Sequence, residues 1–454
     1  MPEKKIKITF CGGVGEVTGA NFLLEADGLP KMLIDCGLFQ GGETFETKNQ
    51  DEFPYNPAEI EYLFVTHAHL DHIGRIPYLV KKGFRGKIYS TPPTKEIAEY
   101  ALMDSLRLLQ KDRDEKDPFF EEKDVRQTFA LWETAGYHEP LKIGDLTVIL
   151  RDAGHILGST MFEFNLNGKK LVMTGDLGNS PSPLLEDTEK ITDADYLVME
   201  SVYGDRNHED RAERKSILED VIEDTIRANG TLMIPAFSIE RTQEILYEIE
   251  GMMQNSRIPL VPVFLDSPLG IEVTAIYKKY SDYLNEAVRK LIKTGDVIFQ
   301  FPQLHKTIST ADSKAIFSAN AKKIIIAGSG MSVGGRILHH ERHYLGDRNS
   351  TLLLVGYQSV GSLGRQIQDG ARSVRIMGEQ ISVNARVVNI HGYSSHKDSD
   401  HLLEFVRDTA DTVKKVMVVM GEPKASLFLS QRIRDYLGTE SLVPMAGQAV
   451  EISM

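Results

Sequence analysis

The chain contains 454 residues, of which 41% are hydrophobic and 26% charged, so extensive disorder is excluded and two or three domains are expected. Its 52 Lys and Arg against 65 Asp and Glu give a net charge of −13, which argues against a general nucleic-acid coat protein but not against an enzyme with one cationic groove. The sequence has no apolar run of the ~20 residues that a membrane helix needs, no signal-peptide core, and only two cysteines. We therefore expect a cytoplasmic protein without membrane contact.

Short β-branched runs alternate with turn signals through residues 1–200. Several runs end in Asp or His at the point where a strand should stop, and helical patterns such as TKEIAEYALMDSLRLLQK lie between some of them. The runs are KIKITF, KMLIDCG, EYLFVTH, GKIYST, LTVILRDAG, KKLVMTGD and DYLVME. This alternation predicts a layered α/β fold that carries its functional residues at strand ends.

After Gly204, longer helical patterns alternate with strand-like runs and predict a second α/β domain with a parallel sheet. In chain order these segments are NHEDRAERKSILEDVIEDTIRANG, TLMIPAF, IERTQEILYEIEGMM, PLVPVFLD, LGIEVTAIYKKYSDYLNEAVRKLIK, KKIIIAGSGMSVGGRILHHERHYL and TLLLVGYQSVGSLGRQIQDG. The closing segments VNARVVNIHGYSSH and VKKVMVVMG return to the short strands of the first half. We therefore expect one domain to be inserted into another.

The turn that leaves the strand EYLFV concentrates metal-ligand side chains. Its candidates are His67, His69, Asp71 and His72. Imidazole suits zinc, copper, iron or nickel, and a carboxylate in the same site extends the choice towards manganese. A solvated polar loop is the alternative, but packing gives no reason to gather three histidines there. We interpret the segment as a metal site.

Three further candidates, Asp35, His155 and Asp176, occur at the ends of other strand-like runs. Alone, such an Asp is more typical of a turn, and such a His of a hydrogen-bonded structural residue. Together with the first cluster they supply several histidines, a carboxylate able to bridge two ions, and carboxylates that can orient imidazole rings.

The series H-x-H-x-D-H, with Asp35 before it and His155 and Asp176 after it, resembles the ligand set of the metallo-β-lactamase superfamily. The resemblance implies an αββα sandwich and a hydrolase that holds two zinc ions, with manganese as the alternative metal. In this family Asp176 would bridge the ions, and Asp35 would support their ligands. The ligands implied are His67, His69 and His155 for the first ion, and Asp71, His72 and a distant histidine for the second.

Later segments resemble, in order, those of the β-CASP nucleases, which include the endonuclease subunit of the eukaryotic pre-mRNA 3′-end cleavage factor and compact bacterial and archaeal relatives. The matching segments are ESVYGDR, TLMIPAFSIERTQEIL, FLDSPLG, GSGMSVGGRILHH, GYQSVGSLGRQI and HGYSSH. The resemblance implies catalytic roles for Asp71 and Glu200 and makes His396 the missing ligand of the second ion. A histidine at this last position is associated with RNA-processing members rather than DNA-repair members.

The same resemblance divides the chain into segments 1–205 and 366–454, which would form the metallo-β-lactamase domain, and an inserted β-CASP domain of residues 206–365 with a parallel α/β sheet. Independently, GSGM and QSVGS each join a predicted strand to a predicted helix, where backbone N–H groups could hold phosphate. A solvated helix face is the alternative for the basic residues that follow GSGM. The residues expected to contact RNA phosphate are Ser329, Gly330, Arg336 and Ser362.

Taken together, these features predict a metal-dependent ribonuclease that hydrolyses single-stranded RNA by endonucleolytic cleavage, 5′→3′ exonucleolytic cleavage or both, as a monomer or a homodimer. His396 argues against a DNA nuclease of the same superfamily. A thioesterase or lactonase would not need an insert of this size. A catalytically silent scaffold normally loses metal ligands, and this chain keeps them.

Two positions depart from the cleavage-factor pattern. Gln366 stands where a histidine is expected to protonate the departing 3′ oxygen, and Met420 stands where another histidine is often found. A glutamine can donate a hydrogen bond but has no titratable proton. The proton would then come from water held near Glu200 or from another histidine such as His391.

We predict that Gln366→Ala lowers kcat less than about tenfold, because general-acid help of ~10²–10⁴-fold requires a group with a transferable proton. Glu200→Gln and Asp71→Asn should each lower kcat at least about a hundredfold. Single-turnover cleavage of one RNA compares the variants, and Gln366→His should leave the metal content unchanged. A loss of about a hundredfold or more in Gln366→Ala, with metals and fold intact, would show instead that Gln366 orients the scissile phosphate.

Overall fold

A computed structural model of the protein describes residues 3–40, 47–112, 119–208, 211–359 and 361–454. The chain divides into two compact units. Unit 1 consists of Met1–Asn207 and His396–Met454, and unit 2 consists of His208–Ser395. Among the described residues, no helix is both long enough and apolar enough to cross a membrane.

Strands outnumber helices among the described residues. The strands of unit 1 before unit 2 are β1 (Lys5–Gly12), β2 (Asn21–Ala26), β3 (Lys31–Ile34), β4 (Ile60–Phe64), β5 (Lys87–Ser90), β6 (Trp132–Thr134), β7 (Leu141–Ile143), β8 (Leu146–Asp152), β9 (Thr160–Leu166), β10 (Lys169–Met173) and β11 (Tyr196–Met199). Those of unit 2 are β12 (Thr231–Pro235), β13 (Val263–Leu265), β14 (Leu304–Lys306), β15 (Lys323–Ala327), β16 (Thr351–Val355), β17 (Ser373–Ile376), β18 (Glu379–Ser382) and β19 (Arg386–Ile390). Unit 1 ends with β20 (Lys415–Val418), β21 (Ser441–Leu442) and β22 (Ala449–Ser453).

Helices lie between many of these strands. In unit 1 they are α1 (Leu70–Ile73), α2 (Ile76–Lys81), α3 (Pro92–Asp112) and α4 (Glu122–Ala130). In unit 2 they are α5 (Arg211–Arg227), α6 (Arg241–Gln254), α7 (Pro268–Lys279), α8 (Glu286–Lys293), α9 (Thr310–Ala315), α10 (Ile337–Tyr344) and α11 (Leu363–Gln368). Back in unit 1 they are α12 (Ser399–Arg407) and α13 (Pro423–Leu437). Short 3₁₀ turns occur at Pro57–Glu59, Ser281–Tyr283, Ile316–Ser318 and His391–Tyr393.

Unit 1 is built on two seven-stranded sheets, with strand orders β22–β1–β2–β3–β4–β5–β6 and β21–β20–β11–β10–β9–β8–β7. Alternate side chains of each sheet point into a shared core, in which Ile8 and Phe10 of β1 join Phe162 and Phe164 of β9. Helices α12 and α13 cover the other side of the second sheet through residues such as Leu402. Helix α3 contacts the first sheet at β6. The predicted αββα sandwich is confirmed.

Unit 2 contains a six-stranded sheet in the order β14–β13–β15–β12–β16–β19, and all of its strand pairs are parallel. Buried residues of three of its strands, including Met233, Ile325 and Leu352, pack with Ile337 of α10 and Ile367 of α11. Strands β17 and β18 form a separate antiparallel pair. The parallel α/β sheet predicted for the inserted domain is confirmed.

The strand from VNARVVNI lies in a different sheet from the one expected. The sequence interpretation assigned it to unit 1, but β19 pairs in parallel with β16 of unit 2, where Ile390 lies opposite Val355. Unit 2 consequently continues to residue 395 rather than ending at the expected residue 365. A short β-branched run indicates a strand but carries no information on which sheet the strand will join.

The long helical pattern LGIEVTAIYKKYSDYLNEAVRKLIK also forms two helices rather than one. Helix α7 ends before the 3₁₀ turn Ser281–Tyr283, and α8 begins after Asn285, whose side chain accepts a hydrogen bond from the Val288 amide. Asn is a strong N-cap residue, so the break has a local cause that periodicity does not report.

Candidate metal centre

Several residues of the candidate site in unit 1 follow the ends of its strands. Asp35 follows β3 and Thr66 follows β4, and these two strands are parallel neighbours in the first sheet. Asp176 follows β10 and Glu200 follows β11, which are parallel neighbours in the second sheet. Because the carboxyl ends of parallel strands meet at one edge of a sheet, residues far apart in sequence come together there.

Three histidines direct nitrogen atoms to one place beside Asp176. His67 Nε2 lies 3.1 Å from His69 Nδ1, and His155 Nε2 lies 3.2 Å from the same atom of His69. The Asp176 Oδ2 atom is 3.4 Å from His67 Nε2 and 3.6 Å from His155 Nε2. Nitrogen ligands at ~2.0–2.1 Å from a tetrahedral zinc ion lie ~3.3 Å from one another. The three histidines therefore have the spacing of a metal site.

A second group of side chains faces the same carboxylate. His72 Nε2 lies 3.4 Å from Asp176 Oδ2 and 4.0 Å from Asp71 Oδ2. His396 Nδ1 lies 4.0 Å from Asp176 Oδ2. One oxygen of Asp176 is therefore close to imidazoles of both groups, which is the arrangement expected of a carboxylate between two cations.

Glu200 is fully buried and is engaged mainly by the backbone. Its carboxylate accepts hydrogen bonds from the amides of Leu177, at 2.7 Å, and Val202, at 3.2 Å. The Oε1 atom also lies 3.1 Å from His396 Nδ1. Ligand-type atoms of Glu200, Asp176 and His396 all lie within 4.8 Å of one another. This geometry lets Glu200 orient His396, a role that the sequence interpretation did not give it.

Asp35 and Thr66 fix the orientation of two candidate ligand rings, those of His67 and His72. The Asp35 carboxylate accepts hydrogen bonds from the Thr66 amide and hydroxyl, both at 2.8 Å, and lies 2.7 Å from His72 Nδ1. The Thr66 hydroxyl is also 3.0 Å from His67 Nδ1. With each Nδ1 donating to these oxygens, the neutral rings present the Nε2 lone pair towards Asp176.

Two glycines allow the ligand-bearing loops to approach closely. A Cβ atom at Gly37 would lie 1.5 Å from the carbonyl oxygen of Asp71, and one at Gly178 would lie 1.9 Å from the carbonyl oxygen of Gly154. Any other residue at either position would displace the loop that carries Asp71 or His155.

The pKa values within the cluster indicate which charges it stabilises. Burial lowers the pKa of His67 well below its usual range, and it raises the pKa of Asp71 to about 6. Burial also opposes charge on His72 and Asp176, but their attraction for each other and for neighbouring groups together outweighs it, so the pKa of His72 is raised and that of Asp176 is lowered. Asp35 adds to the rise at His72. The buried carboxylates thus stabilise positive charge at this place.

Two buried polar atoms indicate that the side chains fit metal ions. Within the described part of the chain, His72 Nε2 and Asp176 Oδ1 are buried and make no hydrogen bond. An unsatisfied buried polar atom costs about 1–3 kcal/mol, and a divalent cation held between these residues would satisfy both atoms. His69, Asp71 and His396 are only half-buried, so the group opens to solvent on their side.

The four predicted phosphate contacts lie in unit 2, and the loop that contains Ser329 and Gly330 differs from expectation. Ser329 and Gly330 are in the loop after β15, but α10 begins only at Ile337, so GSGM does not start that helix. The expected helix start at this loop is therefore wrong. The loop folds back on itself instead, because the Ser329 hydroxyl accepts a hydrogen bond from the Val333 amide at 3.0 Å.

Arg336 and Ser362 are both engaged within unit 2. The Arg336 guanidinium donates to Asp266 Oδ1 and the Thr307 carbonyl, each at 2.8 Å, and to the Ile308 carbonyl at 2.7 Å. Ser362 is the N-cap of α11 and accepts a hydrogen bond from the amide of Arg365. QSVGS thus leads into a helix as predicted, whereas Arg336 ties its loop to two neighbouring strand ends.

Sequence reasoning missed several supporting residues. Thr66 precedes the histidine motif directly, but a threonine after a strand is too common to single out. Ser159 accepts a hydrogen bond from the His155 amide at 2.9 Å.

Met420, where the family often has histidine, lines a small cavity together with Asp35 and His72. The side chain of His391, the other suggested proton source, lies outside the described residues.

Models of three domain families match the chain in order. The metallo-beta-lactamase superfamily domain matches residues 23–197, and the Beta-Casp domain matches residues 242–367. The Zn-dependent metallo-hydrolase RNA specificity domain matches residues 380–444, which include His396. The three matches follow the order that the sequence motifs predicted.

Similar proteins include Ribonuclease TTHA0252 of Thermus thermophilus, 35% identical over 450 residues that cover 99% of this chain and 98% of the relative. Transcription termination factor FttA of Pyrococcus horikoshii is 33% identical, over 98% of this chain and 71% of the relative. The RNase J-like protein of Methanocaldococcus jannaschii is 31% identical, over 93% and 94%. A solved structure of a protein of unknown function from Enterococcus faecalis V583 matches with a TM-score of 0.57 at 14% identity, over 99% of this chain and all of that chain, which supports the fold alone.

We predict that Asp35→Asn weakens zinc binding about 10- to 100-fold, the usual loss when a residue that orients a metal ligand is changed. Asn keeps the size of the side chain but loses the charge that holds His72 Nδ1 and the Thr66 hydroxyl. Competition with a chelator measures the affinity, with Asp145→Asn on the exposed surface of unit 1 as the control. Equal zinc affinity in Asp35→Asn and the wild type would contradict the support role.

Proposed function

We propose that this chain, which belongs to the β-CASP ribonuclease family of the metallo-β-lactamase superfamily, hydrolyses phosphodiester bonds of single-stranded RNA with two divalent metal ions. The observation that carries the proposal is the convergence of two groups of ligand-type side chains on the single carboxylate of Asp176. The match to an RNA specificity domain over the segment that contains His396 supports RNA as the substrate.

The donor sets suggest how two ions would be shared. Three imidazoles suit zinc, with manganese as the alternative where carboxylates contribute. Asp176 would serve both ions, since its Oδ2 faces both groups and its Oδ1 makes no hydrogen bond within the described residues. The first ion would be held by His67, His69 and His155, and the second by Asp71, His72 and His396.

When bound, such ions supply a water of lowered pKa and positive charge beside the attacked phosphate. The chain's own groups then have three tasks. Asp71, half-buried on the open side, accepts the proton of the attacking water at its carboxylate. Glu200 Oε1, 3.1 Å from His396 Nδ1, would orient that ring and leave its other nitrogen, Nε2, for the second ion. Asp35 and Thr66 keep the rings of His72 and His67 in the tautomer that presents Nε2.

The departing 3′ oxygen needs a proton, and Gln366 cannot supply one. Gln366 lies exposed on α11 of unit 2. Water is therefore the proton source in this proposal, and bound metal ions would supply positive charge beside the leaving group. The products are a 5′-phosphate and a 3′-hydroxyl.

RNA contacts are assigned to unit 2. In this proposal the loop at Ser329 and Gly330 and the start of α11 at Ser362 lie along the RNA, with the amides of Ser329 and Ser362 themselves donating to the carbonyls of Gly334 and Ser359. Arg336, with its guanidinium bonded to Asp266 and to two carbonyls, acts in this proposal by holding the first loop in place.

A DNA nuclease of the same superfamily is the second candidate function. His396 and the match to an RNA specificity domain both argue against it. Thioester or lactone hydrolysis has less support still, since the named relatives above that carry an activity in their names are a ribonuclease, an RNase J-like protein and a transcription termination factor.

We predict close to two metal ions per chain in protein purified without chelator. Asp176→Ala should lower the metal content, because it removes the carboxylate that faces both histidine groups. Elemental analysis by plasma mass spectrometry gives the stoichiometry, and circular dichroism confirms the fold. Well-folded wild-type protein with well under one metal per chain would end the two-metal proposal.

We predict that single-stranded RNA is cleaved much faster than DNA of the same sequence, and that cleavage weakens as salt rises, because the contacts are made to phosphate. Paired RNA and DNA oligonucleotides measured from low to high salt test this. An RNA with a free or a blocked 5′ end distinguishes exonucleolytic from endonucleolytic cleavage. Comparable turnover of DNA and RNA would favour the second candidate function.

A further inference from the structure

A buried charged cluster in unit 2 holds the residues that precede His396. Tyr393, in the 3₁₀ turn His391–Tyr393, is fully buried, and its hydroxyl donates to one carboxylate oxygen of Glu248. Arg214 donates to the other oxygen of Glu248 at 2.7 Å and to the Gly392 carbonyl at 3.0 Å. Its guanidinium carbon also lies 4.4 Å from the centre of the Tyr393 ring. We call this arrangement the Tyr393 clamp.

The Tyr393 clamp buries charged side chains, and removing them from water costs free energy. The side chains of Arg214 and Glu248 are only 3% and 8% exposed, and Arg241 brings a second guanidinium 5.6 Å from the same ring. Apolar residues of similar volume are often as stabilising as a buried ion pair, or more so. We therefore ascribe the cluster to holding local geometry rather than to stability.

What the clamp fixes is the end of unit 2. Ser394 and Ser395 alone separate Tyr393 from His396, and three residue steps span at most ~11 Å. In unit 1, the Lys397 amide donates to the Leu177 carbonyl at 3.0 Å. His396 thus belongs to a short segment whose two ends are both held by hydrogen bonds to other parts of the chain.

We propose that Tyr393, clamped by Glu248 and Arg214, is a positioning residue that keeps His396 in place to bind the second metal ion, an inference that rests on the proposed function. Ligands that are already in position lose less conformational freedom when the metal binds. Loosening Tyr393 leaves the segment before His396 less ordered. The cost of ordering that segment then offsets part of the free energy of metal binding. The clamp touches neither metal nor RNA in this account.

Tyr393→Phe is the direct test, because it removes the hydroxyl and keeps the ring. Tyr277→Phe is its matched control: Tyr277 is also fully buried in unit 2, and its hydroxyl also donates to a buried carboxylate, that of Glu240. Both variants lose the same kind of bond, but only Tyr393 adjoins the segment that contains His396. Glu248→Gln serves as a second variant, which weakens the clamp without changing Tyr393.

Three measurements separate positioning from stability. Competition with a chelator gives the affinity of the more weakly held zinc ion, hydrogen exchange of metal-free protein reports on the Lys397 amide, and RNA cleavage gives kcat and KM. We expect Tyr393→Phe and Glu248→Gln to weaken the second zinc about tenfold, to speed exchange at Lys397, and to lower kcat with KM for RNA changed less than about threefold. Tyr277→Phe should match the wild type in all three, whatever its melting temperature.

Equal zinc affinity and equal Lys397 exchange in Tyr393→Phe and Tyr277→Phe would overturn the positioning role. A wild-type protein that binds only one zinc, or that does not cleave RNA, would instead overturn the proposed function. Exchange at Lys397 would still decide in that case whether the clamp holds the segment, since it is measured without metal.

Discussion

The Asp176 carboxylate is placed where four imidazole nitrogens approach it. Its Oδ2 atom lies between 3.4 and 4.0 Å from nitrogens of four histidines, two from each group, which come from three separate segments of unit 1. A carboxylate buried to this degree is stable as an anion only where positive charge surrounds it. The other features of the centre follow from that requirement: rings held in one tautomer, loops that approach closely, and backbone amides that occupy Glu200.

The sandwich satisfies this requirement through its strand ends. Parallel neighbours deliver Asp35 beside Thr66 and Asp176 beside Glu200, so each sheet contributes a carboxylate and its partner at one edge. The ligand that comes from furthest along the chain is His396, at the place where the chain returns from unit 2 to unit 1. Under the proposals above, His396 serves as a metal ligand, and the buried Tyr393 clamp holds the chain just before it.

The parts of this structure that could be predicted are those encoded locally. Strands, helices and the density of candidate ligands from His67 to His72 are properties of short segments, and they predict a layered α/β fold, a parallel sheet and a metal site. The αββα sandwich and the roles of the other candidate ligands followed from the resemblance to the metallo-β-lactamase superfamily. Prediction failed where a contact joins distant segments. The sheet that β19 joins depends on β16, and the start of α10 at Ile337, beyond GSGM, accompanies a loop closed by the hydrogen bond from Val333 to Ser329. A pattern within a few residues does not indicate which distant residues will be in contact.

The positions of the ions themselves are the strongest test of whether Asp176 lies between two metal ions. Crystals of the protein purified without chelator, measured at wavelengths on either side of the zinc absorption edge, would locate each ion by its anomalous scattering. We expect two anomalous peaks, one on each side of the Asp176 carboxylate. One should lie within bonding distance of His67, His69 and His155, and the other within bonding distance of His72 and His396. A single peak, or two peaks of which neither lies beside Asp176, would contradict this expectation.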